Sequence, residues 1–181
     1  MNMHIKLSIY LLSMLLFSGI SCAKNHIMLL NVSQKDSSVQ ISPLLNFNST
    51  EQIKEAIDNG TRITIIAKAQ LYESRNWWFD NTLDNKKVFL EISYFTLSKL
   101  YVVKNKITGE QLGFNNYEQL WKEFQKLASF RFNVPSAENP WVKVRFVLDK
   151  GALPTVMQLP VLIDNNWDID TPWYEKELNL K

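Results

Sequence analysis

Three segments of this chain alternate apolar and polar residues with a period of two, a pattern that fits half-buried strands and little else. In Arg62–Tyr72, Ile63, Ile65, Ala67, Ala69 and Leu71 share one face, while Arg62, Thr64, Lys68 and Gln70 share the other. In Val88–Phe95 the inward set is Val88, Leu90, Ile92 and Tyr94. In Val142–Asp149 it is Val142, Val144, Phe146 and Leu148, with Lys143 and Arg145 outward. Strands with one wet face belong to antiparallel sheets, because parallel sheets are covered on both faces. The segments do not alternate with helices as βαβ units would, so the expected class is α+β, mostly antiparallel and sandwich-like, or a curled sheet with helices against it.

Weaker signals fill in the rest. His26–Val32, Val39–Phe47 and Leu100–Lys104 also read as strands. Ser49-Thr50-Glu51-Gln52 has the form of a capping box. It opens a short helix carrying Ile53, Ala56 and Ile57 on one stripe, which Asn59-Gly60 stops. Asn116 caps a second amphipathic helix with Gln119 as reciprocal partner, and its stripe is Leu120, Phe124, Leu127 and Ala128, widened by Trp121. Val156–Ile163 is apolar and contains Pro160, which points to an edge strand or extended segment. Trp167–Trp173 reads as a last short strand.

The amino terminus reads as an address. Met1–Lys6 is short and basic, and Leu7–Ile20 is an apolar run too short to span a bilayer as a helix of about 20 residues. Ser21-Cys22-Ala23 supplies small residues for cleavage after Ala23. Residues 1–23 are then a secretory signal, and residues 24–181 form a single β-rich domain of about 158 residues in the periplasm or outside the cell. Two alternatives stay open: a lipid on Cys22, or an uncleaved segment that holds the domain at the membrane.

Composition restricts the chemistry. Cys22 is the only cysteine, and cleavage after Ala23 removes it, so no disulfide, thiol nucleophile or thiolate metal site is expected. Of two histidines, His4 lies in the leader and His26 beside the new terminus. The net charge is +2, and Lys6 in the leader carries part of it. Such a chain has no broad basic field for a nucleic acid backbone.

Several residue spacings invite a chemical reading. Asp164, Asn166, Asp168, Asp170 and Glu175 fall on a calcium-loop spacing, but Ile169 stands where that loop needs glycine and Pro172 also intrudes. A turn rich in Asp and Asn is the expected reading, with no metal and no cofactor. Asp168 and Asp170, two apart, have the form of a carboxylate pair for glycoside hydrolysis, yet they also suit the wet face of a strand. Ser98-Lys99 would point to opposite faces if it lay on a strand. The chain is therefore expected not to be an enzyme.

The order of motifs resembles the exported proteobacterial proteins of the domain of unknown function 4390 family. The matching stretches run from Leu71 to Trp78, from Tyr94 to Val103, over the helix Leu120–Leu127, through Val144–Asp149 with Leu153-Pro154, and through Trp167–Trp173. The resemblance implies export and an undefined function, with no catalytic residues to carry over. It also implies a gene neighbourhood that often holds a membrane sensor kinase. An envelope or membrane sensor protein is thus the expected partner; peripheral membrane contact stays open, and the charge balance speaks against nucleic acid.

The expected binding surface is aromatic. Trp77 and Trp78 point to opposite sides in an extended backbone, so one core does not readily take both. Arg75, Trp77, Trp78 and Phe79, together with Trp173 and Tyr174, are the candidate site, because they flank turn-rich stretches and have a hot-spot composition. A binder or carrier of an apolar ligand inside a curled sheet is the alternative, although bulky inward residues argue for a filled interior. A hydrolase using carboxylates or a Ser–Lys pair is a third.

Overall fold

The computed structural model describes residues 25–35, 37–73, 80–134 and 140–179. The three alternating segments become the centre of one antiparallel sheet. Strands β3 (Ile63–Glu73), β4 (Asn81–Phe95), β5 (Leu100–Asn105) and β6 (Gln111–Phe114) form a meander. Strands β8 (Pro140–Leu148) and β9 (Tyr174–Glu177) extend it on the far side of β3, giving the order β6-β5-β4-β3-β8-β9. Ile65 lies between Leu90 and Leu148, and Ala67 between Val88 and Phe146, so the inward sets of the three strands fall on one face. The two alanines, Ala67 and Ala69, are both buried at the middle of that face.

A second sheet of three strands covers this face. It has the order β1-β2-β7, with β1 His26–Lys35, β2 Ser38–Asn46 and β7 Phe130–Asn133. Leu30, Val39, Ile41, Phe130 and Phe132 join the inward residues of the large sheet in one apolar core. The expected α+β class with antiparallel sheets is the observed one.

Helix α1 (Glu51–Asp58) starts where the capping signal lies, but Thr50 rather than Ser49 is the cap, accepting from the Ile53 amide. Ile53 and Ile57 are buried, Ala56 packs at their edge, and Gly60 takes φ +85° to end the helix. Helix α2 (Tyr117–Glu123) opens with the Asn116 side chain accepting from the Gln119 amide at 2.7 Å. It tightens into a 3₁₀ turn at Phe124–Leu127, and its expected stripe is buried throughout.

Three expectations need correction. Val156–Ile163 is no edge strand: Thr155–Ile163 is a third helix, α3, with Pro160 inside it. Its base is held by Gln158, whose amide donates to the Gly151 and Leu153 carbonyls. Trp167–Trp173 is also not a strand. Asn165–Trp167 is a 3₁₀ turn, and pairing begins only at Tyr174. In its place the side chains do the pairing: the Phe146 amide donates to Thr171 Oγ1 at 2.9 Å, and the Leu148 amide to Asp170 Oδ1 at 2.8 Å. Ser98-Lys99 is part of the turn joining β4 to β5, where Lys99 adopts φ +53°.

Candidate functional site

The outer face of the large sheet carries the strongest polar and aromatic cluster. Lys143 and Arg145 project outward from β8, as their alternation requires, and Trp173 lies over them from the segment that leads into β9. The Arg145 guanidinium carbon is 4.9 Å from the Trp173 ring centre, and Lys143 Nζ is 5.5 Å from it. Lys143 Nζ is also 5.0 Å from the ring of Tyr72, near the end of β3. Two cations thus meet one indole, each contact contributing about 0.5–1 kcal/mol where water reaches it. Arg145 Nε is buried without a hydrogen-bond partner among the described residues.

Tyr72 anchors this cluster. Its ring is buried, and its hydroxyl donates to Glu175 Oε2 at 3.2 Å. Burial, and after it the Glu175 carboxylate, push the Tyr72 hydroxyl up to about 12. Trp173 is 39% exposed and Tyr174 is half-buried, packed against the core edge. Among the described tryptophans Trp173 is the exposed one; the exposed ring expected at Trp77 or Trp78 lies outside the described residues. Arg75, Trp77, Trp78 and Phe79 lie outside the described residues. Tyr72 and Glu73, which lead into them, stand beside the Trp173 cluster, so the sheet brings the root of one predicted segment next to the other. Lys143 and Arg145 were read from sequence only as the wet side of a strand. Nothing in the sequence pairs them with an indole 30 and 28 residues away.

A second concentration of aromatic rings lies between the two sheets. Phe47 stacks on Trp121 at 4.8 Å, and Trp121 meets Tyr117 and Phe124 edge-on. Phe47, Tyr117 and Trp121 border a cleft of about 280 Å³ lined also by Asn48, Ser49 and Lys122. The hydroxyls of Ser49 and Tyr117 hydrogen-bond to each other. Burial raises the Tyr117 pKa against the opposing pull of Ser49 and the Trp121 indole. The Trp121 Nε1 itself falls short of hydrogen-bond geometry with any described group. Below the cleft Tyr101 donates to Asp58 at 2.5 Å, and Lys54 donates to the same carboxylate at 2.7 Å. Burial opposes the Asp58 charge, but these two donors outweigh it and hold its pKa below the usual value.

The acidic loop is committed to structure. Asp164 accepts from the Asn166 amide, and Asp170 from the Leu148 amide. Among the described residues no group of His, Cys, Asp and Glu is gathered for a metal ion. Asp168 and Asp170 do not stand on a strand, and Ser98 hydrogen-bonds to the Phe95 carbonyl within its own turn.

The third surface is α3, which turns its apolar residues outward. Val156 and Ile163 are each 84% exposed, Leu159 72% and Leu162 64%, while Val161 alone is buried. No helix among the described residues is long and apolar enough to cross a membrane.

A family model described as Domain of unknown function (DUF4390) matches residues 23–177. No curated protein and no solved structure matches the chain.

Proposed function

The chain belongs to the domain of unknown function 4390 family, and from that premise we propose that it is an exported, non-enzymatic domain of the cell envelope that binds a protein partner through the outer face around Trp173. One observation carries the reading: an exposed indole in contact with both Arg145 and Lys143, the second of which also meets the ring of Tyr72. Tryptophan, arginine and tyrosine are the residues in which binding energy concentrates at protein interfaces. The cluster is also pre-ordered, because the rings and cations already restrain one another, so little side-chain freedom remains to be lost on binding. The leader 1–23 supports export, and the partner class we favour is an envelope or membrane sensor protein.

The carrier alternative has less support. The inward residues Ile63, Ile65, Leu90, Ile92, Phe146 and Leu148 are buried within one core. The aromatic cleft, at about 280 Å³, is at or below the ~300–1,000 Å³ of small-molecule pockets.

The test is a photo-crosslinking amino acid placed at position 173 in intact cells. A discrete adduct is expected there and not at Glu118, which is exposed on α2. Arg145→Glu should abolish the adduct while leaving the fold intact. An identical adduct pattern at positions 173 and 118 would overturn the reading.

A further inference from the structure

We propose that α3 is a bilayer-contacting element, lying in the lipid surface beside the point where the apolar leader joins the domain. The proposal deepens the envelope reading and rests on it.

The helix itself poses the problem. Thr155–Ile163 contains no charged residue, and four of its five aliphatic side chains, Val156, Leu159, Leu162 and Ile163, are exposed. A surface helix of a globular domain normally shows the reverse arrangement, with its apolar stripe toward the core. Something of low polarity therefore covers this face.

The chain path identifies the cover. Asn25, the first described residue, is buried and pinned. Its side chain donates to the Ile169 carbonyl at 3.3 Å and accepts from the Asn48 amide at 2.7 Å. Ile169 is six residues beyond Ile163, and those residues fold into tight turns: the Asp164 amide donates to the Pro160 carbonyl, Trp167 to Asp164, and Ile169 to Trp167. Only residues 21–24 separate Asn25 from the apolar run Leu7–Ile20. Four extended residues reach about 14 Å. A leader held in a bilayer thus brings α3 to that bilayer.

The hairpin tip adds a second apolar contact at the same end. Thr61, just before β3, hydrogen-bonds to the Met157 sulfur of α3, which places the helix at the Ile63 end of the large sheet. Ile63 pairs with Ile92, and β4 continues from there to Phe95 and the fully exposed Leu97. Charge at this end is mixed, with Arg62, Lys99 and Lys150 against Asp149 and Asp164. Apolar insertion rather than attraction to anionic lipid is therefore the driving term, and contact should survive high salt. The Trp173 face lies on the side of the sheet and stays open to a partner. The arrangement favours a leader retained at the membrane over release at Ala23.

The experiment uses the full 181-residue chain carrying Cys22→Ser and one new cysteine, either Leu159→Cys or Asp84→Cys, labelled with an environment-sensitive dye. Asp84 pairs with Leu71, eight residues up the sheet and roughly 26 Å from the helix end at about 3.3 Å per residue. The chain is reconstituted in vesicles of phosphatidylethanolamine and phosphatidylglycerol with acyl-chain nitroxide lipid. Quenching at position 159 is expected to exceed that at 84 by at least threefold, in low and in high salt. Leu162→Asp with Ile163→Asp should remove the excess. Equal quenching at the two positions overturns the proposal. So does a blue-shifted dye at 159 that lipid does not quench, which would mark a second copy or another protein as the cover. Export is judged separately, by a periplasm-dependent phosphatase fused after residue 181. Failure there removes the envelope reading, whereas failure of quenching with active phosphatase removes only the bilayer contact.

Discussion

At the scale of single residues, buried hydroxyls and carboxylates set how the domain responds to pH and to ions. Tyr72 has its pKa raised to about 12, from a value of 10.0 when unfolded, by burial and then by Glu175. A raised pKa means that the folded state favours the protonated phenol. This contribution is fully present below pH 10 and is lost as pH rises from 10 to about 12. Tyr72→Phe should therefore lose about 1 kcal/mol at neutral pH, the usual worth of such a hydrogen bond. The gap to the native protein should then close between pH 10 and 12, as denaturant titrations across that range will show. The loop Asp164–Asp170 behaves differently. Two of its carboxylates already accept backbone amides, so millimolar calcium should leave the melting temperature unchanged. A calorimetric rise of several degrees would contradict this, since a ligand bound only to the folded state must stabilise it.

At the scale of elements, the helix caps offer the clearest contrast. Asn116 holds only its own helix, so Asn116→Ala should cost about 1 kcal/mol. Thr50 caps α1 and also donates to the Asn166 carbonyl at 2.7 Å, tying the helix to the turn after α3. Thr50→Ala should cost more, about 2 kcal/mol, and paired urea titrations will rank the two. The Asn116 cap was legible in the sequence because capping is local chemistry, while the start of α1 was legible only to within one residue, with Thr50 taking the place expected of Ser49. Legible too were β3, β4 and β8, whose long alternation survives any tertiary context. The strands Gln111–Phe114 and Phe130–Asn133 were missed because four residues hold too little alternation to stand out. Helix α3 was misread because valine, isoleucine and Pro160 all lower helix propensity. Its aliphatic residues face outward, so no inward stripe marked it. The site was partly legible: Trp173 follows from composition, but its cations arrive from β8, and only the fold joins them.

At the scale of the whole molecule, one aromatic residue links both sheets and a helix. Phe124 is fully buried and meets Phe47 after β2, Trp121 on α2 and Phe146 on β8, at 5.1, 5.4 and 5.9 Å. Phe124→Ala should cost about 3–5 kcal/mol, a large share of the ~5–15 kcal/mol that holds an ordinary domain. Amide exchange in the variant should rise in β2 and β8 together rather than in one sheet alone. The long antiparallel pairings also make folding slow, since distant segments must meet before any pairing is rewarded. Slow folding leaves strands waiting, and here the pairing of Thr171 and Asp170 with β8 has its consequence. Strand β9 covers β8 only from Trp141 to Val144. Beyond it, Phe146–Leu148 is an apolar stretch whose free edge would invite another chain to add a strand. Thr171 and Asp170 occupy the Phe146 and Leu148 amides, and the Thr171 amide takes the Phe146 carbonyl. The two side chains thereby act as gatekeepers, closing the edge at which another chain would add a strand.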